Sequence, residues 1–352
     1  MGRALKFEFL VFMLISLLST STIVYADRGM IPIQPEVSIY EPGQKAIIVW
    51  DGKEEILILS TDVLSDGESL VVELLPLPSK PNKVELASFR SFEEINEIIW
   101  NVGFKTYGER GGFLQVEKGV ELVFHEKIGA HNIAIVKADD SSQLASWMTN
   151  FLRENGVAQE ASLQGFKPVV EDYMARGFRY YVLDLITVSP EQKSVEPILY
   201  WFNTSFLYYP LEITSPVNGN TRITLFLFTK GTMEEDPQPF RLAGYQTSDG
   251  WKPIRIWLSN GELSKIDLRI GELFKDGAWM CVLTYEGELN ALMDDLMITE
   301  ETFTHVNSTS IPLEIIIVLS AILGAACTLA GVVVAYLLIT RSKKKSEMQR
   351  KP

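Results

Sequence analysis

Residues 315–339 constrain this chain more than any other stretch. From Ile315 to Ile339 they run for 25 positions, opening Ile-Ile-Ile-Val-Leu-Ser-Ala, with no charged side chain. At ~1.5 Å rise per residue such a helix is about 37 Å long. That is enough to cross a ~30 Å hydrocarbon core with some tilt. A core helix of this length would show a polar face, and this stretch has none. Arg341, Lys343, Lys344 and Lys345 follow at once, the pattern of a cytoplasmic flank. The reading is a transmembrane helix over 315–340, a basic cytoplasmic tail over 341–352, and everything upstream outside the cell.

The other end supports that topology. Arg3 and Lys6 precede an apolar run from Phe9 to Leu18, and Val24-Tyr25-Ala26 places small residues before Asp27. This is the pattern of a signal peptide over 1–26; an uncleaved anchor is the alternative, because the apolar run continues toward Ile23. Net charge is −13 in all. The tail contributes +5 and residues 1–26 contribute +1, which leaves −19 on the chain between them. So acidic an ectodomain is a poor partner for nucleic acid or anionic lipid; a solubilising surface explains it more simply than a cation site. Of the two cysteines, Cys327 falls in the apolar span and only Cys281 lies upstream. No disulfide can form within the ectodomain, which must hold by packing. Cys281, in Trp279-Met280-Cys281-Val282-Leu283, reads as a small buried hydrophobe.

Along the ectodomain the pattern is mainly β. Lys45–Trp50 and Glu54–Ser60 flank Asp51-Gly52, a hairpin signal in which both turn residues need φ > 0. Asp66-Gly67 precedes an apolar β run that Leu75-Pro76-Leu77-Pro78 should stop. Ser91-Phe92-Glu93-Glu94 reads as a capping box, with Phe92, Ile95, Ile98 and Ile99 as an apolar stripe and Gly103 as the helix end. Strands are expected at Val120–Phe124 and Ile133–Lys137. Asp139-Asp140-Ser141-Ser142 opens a helix with Leu144, Trp147, Met148, Phe151 and Leu152 on one face, stopped by Asn155-Gly156. A further helix starts near Pro168, with Val169, Val170, Tyr173 and Met174 inward and Gly177 as cap. Tyr180–Val188, Val195–Asn203 and Ile223–Thr229 are β-prone, with Asn218-Gly219 turning into the last. Asn260-Gly261 and Asp276-Gly277 suggest two more hairpins, Ala291–Ile298 a short amphipathic helix, and Thr299–Ile311 a polar linker. The fold class is α+β: a mainly antiparallel β ectodomain with two or three helices, plus the C-terminal transmembrane helix.

Motifs that carry chemistry are missing. His125-Glu126 begins like a zincin helix, but position 129, where one helical turn would bring the second imidazole, is Gly129. No hydrolase serine elbow, phosphate-binding glycine loop or twelve-residue calcium loop occurs. No cofactor, metal or catalytic residue is indicated. Acidic pairs such as Asp139-Asp140, Glu234-Glu235-Asp236 and Asp294-Asp295 read as solvated turns and helix starts. Two sequons, at Asn203 and Asn307, are candidate glycosylation sites; Asn203 lies in an apolar run that would bury it. Ala321 with Ala325, and Ala326 with Ala330, have the four-residue spacing of small residues that lets membrane helices approach.

One resemblance spans much of the ectodomain. Ile47-Ile48-Val49-Trp50-Asp51-Gly52, the run into Leu75-Pro76-Leu77-Pro78, Trp147–Leu152 with Asn155-Gly156, Tyr173–Gly177, Tyr180–Leu185, and Glu196-Pro197 through Tyr209-Pro210-Leu211 together resemble a prokaryotic family of unknown function. The resemblance implies an exported protein, often with a C-terminal membrane anchor. Bacterial members open with a Cys-Gly-Gly-Phe-Phe-Cys type motif, where this chain has Asp27-Arg28-Gly29-Met30. The expected organisation is a family domain over 27–230, a membrane-proximal β-rich region over 231–306 and a linker over 307–314. The expected function is a non-enzymatic binding or envelope-interaction module with a protein partner in the envelope or membrane. The rivals are a membrane-tethered hydrolase with carboxylates from separate strands, and an accessory subunit docked through its span.

Overall fold

Ala46-Ile47-Ile48-Val49-Trp50 and Ile56-Leu57-Ile58-Leu59 are buried at every position, not at alternate ones. A strand can be so only with cover on both faces. The computed structural model describes residues 31–32, 39–106, 131–157, 165–190, 195–216, 219–248 and 250–304, and it shows that cover.

The chain first lays down β1 (Ile31–Pro32), β2 (Ile39–Trp50), β3 (Glu54–Ser65), β4 (Ser69–Leu77) and β5 (Pro81–Leu86), then helix α1 (Phe89–Thr106). It continues with β6 (His131–Lys137), α2 (Ser141–Glu154), α3 (Lys167–Ala175), β7 (Tyr180–Val188), β8 (Ile198–Asn203) and β9 (Leu207–Tyr209). Next come β10 (Asn220–Thr229), β11 (Thr232–Met233), β12 (Arg241–Leu242), β13 (Gly244–Thr247), β14 (Gly250–Pro253) and β15 (Arg255–Leu258). Helices α4 (Asn260–Ile266) and α5 (Leu268–Leu273) lead to β16 (Ala278–Glu288), β17 (Leu296–Ile298) and β18 (Phe303–Thr304).

The large sheet runs β16-β10-β2-β3-β8-β5, and β12 and β15 share the outer edge of β16. Its pairs are antiparallel except β10 with β2. A smaller antiparallel sheet runs β1-β4-β7-β6. Period-two alternation divides the large sheet between two cores. Ala46, Ile48, Leu57, Leu225 and Cys281 pack with Val72, Leu74, Tyr181 and Leu183 of the small sheet and with Leu144, Met148 and Tyr173 of α2 and α3. Ile47, Val49, Ile58, Phe228 and Val282 pack with Phe92 and Ile95 of α1, Leu263 and Ile266 of α4 and Ile270 of α5. The large sheet is therefore a middle layer.

The α+β class and the antiparallel bias agree with the sequence reading, but five helices are described rather than two or three. Ser259 caps α4 in a full capping box with Glu262, so Asn260-Gly261 begins a helix and makes no hairpin. Asp276-Gly277 likewise ends the α4–α5 excursion that joins β15 to β16. At Asp51 the turn is shifted by one residue. Asp51 and Glu54 close it, Asp51 Oδ1 accepts from the Lys53 and Glu54 amides, and Gly52, at φ +97°, takes the first central position. Pro76 sits inside β4, opposite Tyr181, and the strand ends one residue later. The expected capping box at Ser91 is also corrected. Helix α1 begins at Phe89, Ser88 Oγ accepts from the Arg90 amide, and the buried Ser91 hydroxyl donates to the Ile266 carbonyl at 2.8 Å. The helix runs through Gly103 to Thr106.

Toward the C-terminus, a 3₁₀ turn at Leu289–Ala291 and β17 stand in place of the helix expected over 291–298, and a second 3₁₀ turn at Glu300–Thr302 and β18 stand in place of the start of the expected linker. Position 230/231 is no boundary of the fold, because β16 pairs with β10 from Thr229↔Trp279 to Asn220↔Glu288. The described residues, up to Thr304, belong to one compact unit. The apolar stretch 315–339, the signal region, the linker beyond 304 and the expected strand 120–124 lie outside the described residues. No helix among the described residues is long and apolar enough to cross a membrane.

The reassignment of Ser91 is testable. Ser91→Ala should cost about 1–3 kcal/mol in urea unfolding, because it orphans a buried carbonyl. Glu94, whose partner is the exposed Arg90, should cost under about 1 kcal/mol when made Ala. A capping box would make both costs similar.

Candidate functional site

The small sheet brings together a group of polar side chains that the sequence kept apart. The register sets Glu73 opposite Asp184, and Asp184 opposite Ile133, so both carboxylates stand on one face at about 5 Å between Cβ atoms. Both are buried. His131 lies two residues from Ile133 on the same face. Its Nδ1 is 2.5 Å from Asp184 Oδ2 and its Nε2 is 2.9 Å from the Glu196 carbonyl. A carbonyl only accepts, so Nε2 carries a hydrogen; the Nδ1–Oδ2 contact holds another. The imidazole has no nitrogen left over. An Asp–His relay needs Nε2 free to take a proton from a nucleophile, and here that nitrogen is spent on the backbone. The pair fastens β6 to β7 and to residue 196.

Asp295 is a second buried centre, and it corrects the reading of Asp294-Asp295 as a solvated turn. Its side chain is 0% exposed. Asp295 Oδ1 accepts from the Tyr173 hydroxyl (2.6 Å), the Leu211 amide (2.9 Å) and the Glu212 amide (3.1 Å), while Oδ2 meets Arg176 Nη1 at 3.0 Å. Arg176 also binds Asp172 and Glu212 and lies over the Tyr173 ring. Burial pushes the Glu212 carboxyl up to about 7, against the pull of Arg176 and with help from Asp172 and Asp295. The cluster ties α3 to the segments at 211 and 295. Nothing in sequence spacing joins residues 173, 212 and 295.

Glu55, on β3, is the third centre. It is 0% exposed, its Oε2 accepts from the Tyr208 amide at 2.7 Å, and Oε1 has no partner. Burial pushes its carboxyl well above the usual range, and the Tyr208 amide offsets only part of this.

The surface carries a different feature. The hairpin strands β13 and β14 form a two-stranded sheet of their own, and β15 follows Ile254 on the outer edge of the large sheet. Trp251 stands on β14, and Arg255 and Trp257 on β15. Trp251 is 54% exposed and Trp257 36%. Each ring is seated on a glycine. A Cβ on Gly244 would come within 2.4 Å of the Trp251 ring, and one on Gly277 within 2.7 Å of the Trp257 ring. Trp257 also packs edge-on against Trp279, its cross-strand partner, with centroids 5.6 Å apart. On β15, Arg255 Nη1 meets Glu234 at 3.1 Å. These are large apolar side chains held in fixed positions and left half open to water. Trp251 and Trp257 were visible in the sequence, but the glycines that seat their rings belong to other segments.

The remaining sequence candidates fall elsewhere. Asn203 ends β8 and is exposed rather than buried, and its Oδ1 accepts from Asn82 Nδ2 at 3.0 Å. Cys281 is buried and its thiol is pushed up by burial, as a small hydrophobe would be. Asn307, Ala321, Ala325, Ala326 and Ala330 lie outside the described residues, as do His125 and His305. No group of three or more His, Cys, Asp or Glu among the described residues is arranged to hold a metal ion.

Two expectations follow from the buried centres. His131→Phe strands the Asp184 charge and should cost about 3–5 kcal/mol in urea unfolding. The double variant His131→Phe/Asp184→Leu should recover much of that loss, and simple additivity would show the pair to be uncoupled. For Glu55, folding raises the pKa, so the native state keeps a proton that the unfolded chain releases above pH 4.5. Stability relative to Glu55→Gln should therefore fall as pH rises from 4.5 toward the raised native value, by about 1.4 kcal/mol per pH unit. A pH-independent difference between the two proteins would contradict a neutral buried acid.

Comparison with known proteins bears on ancestry more than on chemistry. A family model described as an uncharacterized protein conserved in bacteria (DUF2330) matches residues 25–239. No curated protein matches the chain. Among solved structures, baculovirus P35 is similar at 9% identity over 78% of this chain and 100% of that one, with a TM-score of 0.43. A mutated baculovirus P35 after caspase cleavage is similar at 10% identity over 73% of this chain and 98% of that one, with a TM-score of 0.38. Scores this low carry no inference.

Proposed function

From a chain that belongs to the DUF2330 family of uncharacterized proteins conserved in bacteria, we propose an exported, single-span membrane protein whose outer unit is a binding module. The span would be residues 315–339, with the N-terminal unit outside the cell and the basic tail in the cytoplasm. The charge-free length of that stretch and the cations that follow it support the topology.

The observation that carries the binding reading is the pair of glycine-seated, half-open tryptophans on β14 and β15. An exposed tryptophan gives up the free energy of burying its large apolar ring. Two on the neighbouring strands β14 and β15, each seated on a glycine, form preorganised contact groups that lose little entropy on binding. The polar centres support the same reading from the other side. The carboxylates that a hydrolase would draw from separate strands, Glu73 and Asp184, are buried in the small sheet, and Asp184 is committed to His131. A membrane anchor would add effective concentration at the envelope surface.

The test is co-sedimentation of the full-length chain, in detergent, with detergent-extracted envelopes of the source cells. Wild-type protein should sediment with them, and the double variant Trp251→Ala/Trp257→Ala should stay in solution with an unchanged melting temperature. Failure of the wild type to sediment, or equal sedimentation of the variant, would overturn the binding face.

A further inference from the structure

We infer that Asp172 and Glu212 share one proton, and that this shared proton is a pH-sensitive latch between helix α3 and the 3₁₀ turn Glu212–Thr214. The inference stands on the Arg176 cluster and is independent of the binding reading above.

Charge counting comes first. Three carboxylates, those of Asp172, Glu212 and Asp295, meet one guanidinium, that of Arg176. One cation cannot compensate three anions that are partly withdrawn from water. Asp295 has the strongest hold on its charge. Its side chain is fully buried, and the Tyr173 hydroxyl, two backbone amides and Arg176 all donate to it. Asp172 keeps half of its side chain in water, where hydration supports an anion. Glu212 has neither advantage. Its side chain is 13% exposed, and it divides Arg176 with the other two.

Geometry then places the proton. Glu212 lies within hydrogen-bond reach of Asp172. Ionised carboxylates only accept, so a hydrogen bond between two of them requires a proton on one. Burial, with Asp172 and Asp295 adding to it, puts that proton on Glu212, whose carboxyl is pushed up to about 7 against the pull of Arg176.

The groups facing Glu212 are few. Helix α3 and its end present Asp172, Tyr173 and Arg176, the segment before β17 presents Asp295, and β9 brings Tyr208 beside Tyr173. Strand β4 also packs on the turn, and its one titratable side chain, Glu73, stands opposite Asp184. Arg179, beyond α3, pairs with Asp139. Arg176 is the one cation among the groups that face the turn.

The helix is therefore held to the turn in two ways. The Leu211 and Glu212 amides donate to Asp295, and the Ile213 amide donates to the Tyr173 hydroxyl; these bonds need no extra proton. The Asp172–Glu212 bond exists only while Glu212 is protonated. Folding raises the Glu212 pKa above the ordinary 4.5, so lifting α3 off the turn releases the proton above that pH. The latch holds fully below pH 4.5, weakens as pH climbs from 4.5 to about 7, and adds nothing above that. Inside the window the closing constant of α3 falls by at most about tenfold per pH unit.

The experiment is hydrogen exchange, read by mass spectrometry, on the full-length chain in detergent from about pH 5 to 8, with each rate corrected for the intrinsic pH dependence of amide exchange. The readout is the protection of residues 167–178 in wild type relative to Glu212→Gln. The glutamine amide donates to Asp172 at every pH, so that variant stays latched. Wild-type protection should fall by about tenfold or more relative to the variant between about pH 5 and 7, then level off. Asp172→Asn supplies the donor from the other side and should shrink the same fall; Asp172 is half exposed, so this variant tests the bond even where Glu212→Gln does not fold. A wild-type-to-variant ratio that does not change with pH would overturn the shared proton and leave Glu212 a plain ion-pair partner of Arg176. An equal change at α4 (Asn260–Ile266), which packs in the other core, would overturn the latch, because the proton would then act on the whole unit.

Discussion

Burial of the middle sheet on both faces is the constraint to which the other layers answer. Strands β2, β3, β10 and β16 have little wet face to present, so their side chains need apolar cover on each side. The small sheet with α2 and α3 supplies one cover; α1, α4 and α5 supply the other. This explains why residues after 230 are integral to the fold. Without β16 the long strand β10 would have an open ladder edge. Without α4 and α5 much of the second core would face water.

So much burial leaves polar groups with few exits, and the molecule treats them in three ways. His131 and Asp184 pair and use both imidazole nitrogens. Asp295 gathers a hydroxyl, two amides and a guanidinium. Glu55 has its carboxyl pushed up by burial, with one oxygen held by the Tyr208 amide. In the first two cases the polar contact joins segments far apart in sequence, and buried polar networks of this kind fix one arrangement among several that apolar packing alone would allow. All three are absorbed in holding the fold together. Among the large apolar groups left open to the outside are Trp251 of β14 and Trp257 of β15.

Much of the architecture was legible in the residues. Unbroken apolar runs marked the middle strands, Asp140 and Gly156 bracketed α2, and Gly177 ended the turn after α3. What misled was local chemistry with two meanings. Asn260-Gly261 is a hairpin signal and equally the first turn of a helix; Ser259 and Glu262, flanking it, decided the matter through a capping box. Ser91 and Glu94 have capping-box spacing, but Ser91 is used for a tertiary bond to α4. The polar centres were illegible for another reason. Glu73, His131 and Asp184 meet only through strand register, and Asp295 looks like any acidic turn until Tyr173 and Arg176 arrive. On the surface, the tryptophans could be read in sequence but not their exposure, because Gly244 and Gly277 set the rings from elsewhere in the fold.

Cys281 turns the architecture into a clock. Its thiol lies at the register where β16 meets Leu227 of β10 on one side and Arg255 of β15 on the other, and 1% of the residue is exposed. Burial holds it in the protonated, unreactive form. An alkylating reagent therefore reaches it only when the outer strand lifts or the whole sheet opens, so the rate of modification counts those openings directly. Because β15 also carries Trp257, a partner bound over that ring would slow the same clock. The unfolding of this layer and the occupancy of its outer edge are thereby written into the lifetime of a single sulfur.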